Sequence, residues 1–428
     1  MNAPVKPQTR PKTGCGLWAN IAISSGAIVV ALIFLEMGLR VLDGPLNVSR
    51  FSAETGWRGQ ANEFKILDTD GYKHPFQLNS QGMHDTEHPL TKPANTYRIM
   101  LLGDSFVEAR QVIETETAHQ ILEDLLNKSG SEKQYSVISA GVPAWGTGQQ
   151  LLYYRSQGRQ FQPDLVVLMV YLGNDITDNL PVHSVKLSGV DHYAPYFALC
   201  NGMLDPEPWV YAPGVTPTMG NCSPTQKQLA EQLQWLYWHT HLYRVLGPLF
   251  NLRQLEFFNK DLPNIHLYVP LDNETFRQSF PRENHMLDYG WRVTFEIIKE
   301  LQREVEANGS QLAIVLIDSA EVINLVASPP EAQAARAESM PYLALTEPDL
   351  PEKKFRQALA ETGIEIFNLQ TELVDYTRQH DESLFFPHDK HWNQLGNRVV
   401  AGILYDWLED RWLSYDACIS HSPVVEAC

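Results

Sequence analysis

Residues 165–172 read Leu-Val-Val-Leu-Met-Val-Tyr-Leu, with Pro163-Asp164 before them and Gly173-Asn174-Asp175 after. An apolar run of that length between turn signals suits a strand covered on both faces, as in a parallel sheet. Ile99-Met100-Leu101-Leu102-Gly103 and Leu312-Ala313-Ile314-Val315-Leu316-Ile317 repeat the pattern, and 135–140 reads as a further strand. Helical periodicity fills the intervals. Ala118, Ile121, Leu122, Leu125 and Leu126 share a side over 116–127, and a helix is expected over 149–160. Val293, Ile297, Leu301 and Val305 form a stripe over 286–308, as do Leu395, Val399, Ile403, Leu404 and Trp407 over 394–410. Strand and helix in alternation predict an α/β doubly wound sheet with helices on both faces. Further on, 352–362 reads as helix, 364–367 as a short strand and 327–350 as loop.

The sheet occupies only part of the 428 residues. The stretch from Cys15 to Leu35 carries no charge and is long enough for a membrane-spanning helix. Lys6, Arg10 and Lys12 precede it without an acidic residue, which predicts a cytoplasmic amino terminus. A cleaved signal peptide is the alternative, but the helical pattern runs on through Glu36–Leu42. The expected organisation is a tail over 1–13, an anchor over 14–42 and a lead-in over 43–96. The sheet domain then covers 97–179 and 286–412, interrupted by an insertion at 180–285, with a tail over 413–428. Prolines 181, 195, 206, 208, 213, 217 and 224 and an aromatic-rich helix over 226–250 mark the insertion as a cap or partner-binding piece.

Five cysteines suit an extracytoplasmic compartment, with Cys200 near Cys222 and Cys418 near Cys428 as neighbours for disulfides. The formal charge of −18 would repel phosphate backbones, so nucleic acid is not an expected partner.

Chemistry-bearing residues gather at the strand ends. Ser105 follows the first strand, the 141–148 loop follows the second, Asn174 follows the third, and Asp389 and His391 precede the last helix. In a parallel sheet these ends open on one edge, where ligands bind. A nucleophilic serine needs a base, a group to orient the base, and donors for an oxyanion. His391 suits the base, Asp389 the orienter, and the Ser105 N–H, an N–H of the 141–148 loop and the Asn174 amide the donors. Competing readings remain: Asn174-Asp175 as a turn, His391 and Asp389 as helix caps, or His388, Asp389 and His391 as metal ligands. No further ligand cluster accompanies those three, so neither metal nor cofactor is expected. Asp104 reads as holding its turn. Asp175 and Asp178 read as solvated or loop-stabilising, and His74, His84, His88 and the histidines of the insertion as incidental.

Gly103-Asp104-Ser105, Gly-Val-Pro-Ala-Trp-Gly at 141–146, Gly173-Asn174-Asp175 and Asp389-Lys390-His391 resemble the four blocks of the SGNH (GDSL) hydrolase superfamily in order. The resemblance spans about 97–179 and 286–410. It implies a flavodoxin-like sheet and metal-free serine chemistry on esters. The second-block glycine aligns with Ala144, with Gly141 and Gly146 as alternatives. One residue separates Asp389 from His391, where the common pattern has two. The shorter Asp-x-His-Trp form resembles the alginate O-acetyltransferase proteins of the bacterial envelope. That likeness implies acetyl esters of extracellular glycans as substrates and envelope polysaccharide machinery as partners. The expectation is therefore a membrane-anchored esterase or O-acetyltransferase facing the periplasm or exterior. A glycan-binding or assembly protein with weak turnover is the alternative, as is a lipase or thioesterase with an apolar groove under the insertion.

Overall fold

The computed structural model describes residues 15–43, 51–69, 71–181, 183–187, 190–215, 217–247, 264–339 and 346–413. The expected tail at 1–13 lies outside them, as does the tail expected at 413–428 but for Leu413, with Cys418 and Cys428. Helix α1 (Cys15–Asp43) comes first, and its segment Trp18–Leu42 is long and apolar enough to cross a membrane. A hairpin of β1 (Phe64–Thr69) and β2 (Tyr72–Gln77) follows. It carries no sequence signature, because most of its side chains face solvent and no apolar alternation results.

The predicted α/β doubly wound sheet is present. Strands β3 (Thr96–Gly103), β4 (Gln134–Gly141), β5 (Leu165–Tyr171), β6 (Gln311–Ile317) and β7 (Glu365–Asn368) are all parallel, in the order β7-β6-β5-β3-β4. Counted along the chain this is the flavodoxin-like order, with its switch point between β3 and β5. Successive side chains of a strand point to opposite faces, and each face has its own core. Met100, Leu102, Val166, Leu168 and Val170 join Leu151 of α4 (Thr147–Ser156) and Val293, Ile297 and Leu301 of α8 (Pro281–Ala307). Ile99, Leu101, Val167 and Met169 join Leu122 and Leu126 of α3 (Ala118–Lys128) and Val400 and Leu404 of α9 (Gln394–Leu408). Each such side chain contributes about 1.5–3 kcal/mol on burial, which explains why unbroken apolar strands sit at the centre.

Two segments depart from the sequence expectation. The helix expected over 226–250 divides into α6 (Pro224–His239) and α7 (His241–Leu246), because Thr240 takes extended backbone and its hydroxyl accepts the Tyr243 N–H at 3.3 Å. The stretch expected as loop over 327–350 contains a helix over Pro330–Ser339. Its alanines and glutamates favour helix, and proline is tolerated in a first turn. In the insertion, Cys200 and Cys222 form a disulfide.

Candidate functional site

At the end of β3, Asp104 caps the four-residue helix α2 (Ser105–Glu108), its Oδ1 accepting the Phe106 N–H at 2.9 Å. Ser105 is thus the first helical residue rather than the cap, and its hydroxyl caps no backbone N–H but lies 3.4 Å from Asp104 Oδ2. Helix α2 presses on the end of β4, and a Cβ on Gly141 would lie 2.3 Å from the Glu108 nitrogen and 2.8 Å from the Asp104 carbonyl oxygen. Only glycine allows that approach.

The loop before α9 brings His391 to this corner. Its Nε2 lies 2.7 Å from Ser105 Oγ, and its Nδ1 hydrogen-bonds Asp389 Oδ1. An ionised carboxylate only accepts, so the proton sits on Nδ1 and Nε2 is free to accept from the serine. The one residue between them, Lys390, lies in the left-handed region at φ 66°, folding the chain so that both side chains meet. The ring of Phe106 packs 4.7 Å from His391 and 4.8 Å from Trp392.

Two groups absent from the sequence reading complete the Asp389 environment. Tyr72 of β2 donates its hydroxyl to Oδ2 at 3.2 Å, and Gln111 donates its amide to Oδ1 at 3.0 Å. Burial acts to raise the Asp389 carboxyl, but the hydrogen bond and charge of His391, with Tyr72 and Gln111 behind them, outweigh it and hold the group below its ordinary range. Burial, then the Asp389 charge, pushes the Tyr72 phenol up. Gln111 sits close to Ser105 in sequence, and that nearness is its one sequence signal. Tyr72 reaches the site only through a hairpin without a sequence signature.

Asn174 follows β5, ahead of the short helix α5 (Asp175–Asp178), and bonds the Asp104 carboxylate, as the Ser105 N–H also does. Asp104 is fully buried, and that burial raises its carboxyl despite these donors. Ala144 is held apart from this chain of bonds. Its backbone is left-handed at φ 60°, and its carbonyl accepts His183 Nε2–H at 2.7 Å while His183 Nδ1 faces Asp178 at 3.1 Å. The Gly146 N–H is engaged by Gln149 Oε1 at 3.3 Å, and Gly141 lies within β4. Trp57 of the lead-in braces the loop, its indole N–H donating to the Pro143 carbonyl at 3.0 Å.

Of the residues expected to be solvated, loop-stabilising or incidental, several are buried and bonded, Asp175 in the loop-stabilising way. Asp175 is fully buried and accepts the Tyr171 N–H at 3.0 Å. Asp85, buried, faces His88 at 3.0 Å and His119 at 3.3 Å and accepts the Ser139 N–H at 2.8 Å, tying the lead-in to β4. Burial holds His84 down at about 4, so it stays neutral at pH 7. Among the described residues, no group of three or more His, Cys, Asp or Glu is placed to hold a metal ion.

Comparison with known proteins bears on the same corner. Residues 280–417, about a third of the chain and including Asp389 and His391, match the family described as SGNH hydrolase-like domain, acetyltransferase AlgX. No curated protein matches the chain. Similar solved structures include an acetyl xylan esterase, AlAXEase, at 11% identity and a TM-score of 0.36, over 73% of this chain and 99% of that one. A lipase/acylhydrolase from Enterococcus faecalis is 10% identical at a TM-score of 0.35, over 74% and 96%. A two-domain esterase active on acetylated mannans has the same identity and score, over 74% and 49%.

Proposed function

From a chain that is SGNH hydrolase-like in its sheet order, its four blocks and its AlgX-type match, we propose a serine acyl enzyme: an esterase or O-acetyltransferase acting on acetyl esters of cell-envelope glycans. The observation that carries the reading is the continuous chain Ser105 Oγ, His391 Nε2, His391 Nδ1, Asp389 Oδ1.

Ser105 Oγ attacks the acetyl carbonyl as its proton passes to His391 Nε2. The carbonyl oxygen becomes an oxyanion, received by the Ala144 N–H, the second N–H of the Asn174 amide and the Ser105 N–H, which turns to it from the Asp104 carboxylate. Asp104, bonded to Asn174, is a positioning residue for that amide. Asp389 stabilises the imidazolium formed in this step. Collapse expels the first alcohol, which takes the proton from His391 and leaves acetyl-Ser105. Water or a sugar hydroxyl then attacks, its proton again going to Nε2, and the ester to Ser105 breaks as Oγ takes that proton from His391. Either acceptor leaves the enzyme unchanged, so the same residues serve hydrolysis and transfer.

The apolar segment Trp18–Leu42 supports an uncleaved anchor, with the sheet domain periplasmic or extracellular. The AlgX description and the acetylated substrates named for similar structures favour acetylated polysaccharide as substrate.

Turnover of p-nitrophenyl acetate by the full chain, beside Ser105→Ala, is the test. We expect activity that falls by about 10⁴-fold or more in the variant. Equal activity in both would end the Ser105 assignment. Inactivity of both, with an acetylated glycan also tried, would favour a binding or assembly protein.

A further inference from the structure

The amino-terminal helix does not end free of the folded domain. Near its carboxyl end, Glu36 Oε1 and Oε2 accept the His241 and Leu242 N–H groups at 3.2 and 2.9 Å, the first turn of α7. Arg40 pairs with Glu36 at 2.7 Å and donates to the His239 carbonyl, the last residue of α6, at 2.9 Å. The junction of α6 and α7 is therefore clasped to the helix where it would leave a bilayer.

Beside this clasp, large apolar side chains are exposed. Trp235 is 58% exposed, its ring stacked on His239 with centroids 4.2 Å apart. Val245 is 53% exposed and Leu246 37%. On the helix itself, Met37, Val41 and Leu42 are exposed in the same way. Apolar side chains are thus exposed on both sides of the clasp, on the anchor and on α6 and α7. Tryptophan at the end of a spanning segment suits the headgroup region, where an amphipathic ring finds both media.

We propose that the α6–α7 corner of the insertion is a membrane-contact surface, seated on the bilayer that α1 crosses. This rests on the anchor reading above. The contact is apolar rather than ionic, since a chain of charge −18 gains nothing from anionic lipid. It would fix the height and tilt of the sheet domain over the membrane, so that acetyl donor and acceptor meet Ser105 at one distance from the lipid.

The test places a photoreactive p-benzoylphenylalanine singly at Trp235, Val245, Val29 and Glu361 of the full chain, in phosphatidylcholine vesicles, and measures lipid adducts by mass spectrometry. Val29 lies inside the anchor, and Glu361 is an exposed residue of the sheet domain. Adduct yield at Trp235 and Val245 should exceed that at Glu361 about ten-fold and approach that at Val29. Two positions in the patch guard against one variant misfolding. Adducts at Val29 alone would overturn the proposal and leave the anchor standing. Crosslinks from Trp235 and Val245 to a second copy of the chain would overturn it in favour of a dimer. No adduct at Val29 would remove the anchor and the proposal with it.

Discussion

The sheet has two strand ends that read Asp-Ser. β3 runs into Asp104-Ser105 and β6 into Asp318-Ser319, each preceded by an apolar strand and followed by helix. Both aspartates are fully buried, and burial raises both carboxyls, Asp318 to about 7 against the opposing hydrogen bonds of Tyr268 and Gln370. Yet only one serine meets a histidine. After β3, Asp104 is the cap and Ser105 begins the helix with its hydroxyl turned to His391 Nε2 at 2.7 Å, Asp104 Oδ2 lying 3.4 Å away. After β6, Ser319 is itself the cap, its hydroxyl accepting the Val322 N–H at 3.4 Å. A shift of one residue in where the helix starts turns one serine outward to His391 and leaves the other to satisfy backbone. The neighbouring strand matters as well. Ser105 sits at the switch point between β3 and β5, where an open sheet leaves a crevice, whereas Tyr268 of the insertion covers Asp318.

The largest effects should fall on the β3 side. Asp389→Asn leaves the geometry but offers His391 an amide in place of a carboxylate, and kcat should fall by about 10³–10⁴-fold, measured with p-nitrophenyl acetate. A loss under ten-fold would mean that His391 is oriented by something else.

Asp318→Asn should instead act on stability. Burial pushes the folded group up to about 7, while the unfolded one keeps its ordinary value of 3.8. Between those values the folded state holds a proton the unfolded state lacks, so stability falls as pH rises from about 4 to about 7. The asparagine variant should lose that slope, by a few kcal/mol across the window, in denaturant titrations at pH 5 and 8. Its turnover should stay near that of the parent. A pH slope identical to the parent would show that Asp318 ionises freely.

Ser319→Ala should cost about 1 kcal/mol of stability through the lost cap, with activity intact. Ser105→Ala should show the reverse, activity lost and melting unchanged. If both serines behaved alike, the distinction drawn from helix register would be wrong.

The smallest change expected is from Tyr72→Phe, which removes one of three side-chain groups on Asp389. A hydrogen bond to a charged group contributes about 1.5–3 kcal/mol, and the solvent near this half-exposed pair replaces part of it. A kcat lower by about three- to ten-fold, with KM unchanged, would mark Tyr72 as a positioning residue. A raised KM with kcat intact would place it on the substrate instead.

The strand runs at 99–103, 165–172 and 312–317 were legible because a strand buried on both faces has no polar positions to hide. Their order and the helices between them then followed from periodicity. The block residues Ser105, Asn174, Asp389 and His391 were legible as candidates because polar groups at strand ends stand out against such runs. Tyr72, Gln111 and His183 were not. Their contacts join segments up to 317 residues apart, as Tyr72 and Asp389 do, and an exposed hairpin or proline-rich insertion carries no periodic signal to announce them.

What this sequence determined by itself was the parallel sheet, its helical layers, the apolar amino-terminal helix and the set of groups lying at one sheet edge. These depend on local propensity and on which side chains must leave water. The tertiary structure alone decided which Asp-Ser end faces a histidine, which residues brace Asp389, and that Glu36 clasps the insertion. Each of those is a hydrogen bond between distant segments, set by where packing leaves a donor or acceptor unpaired.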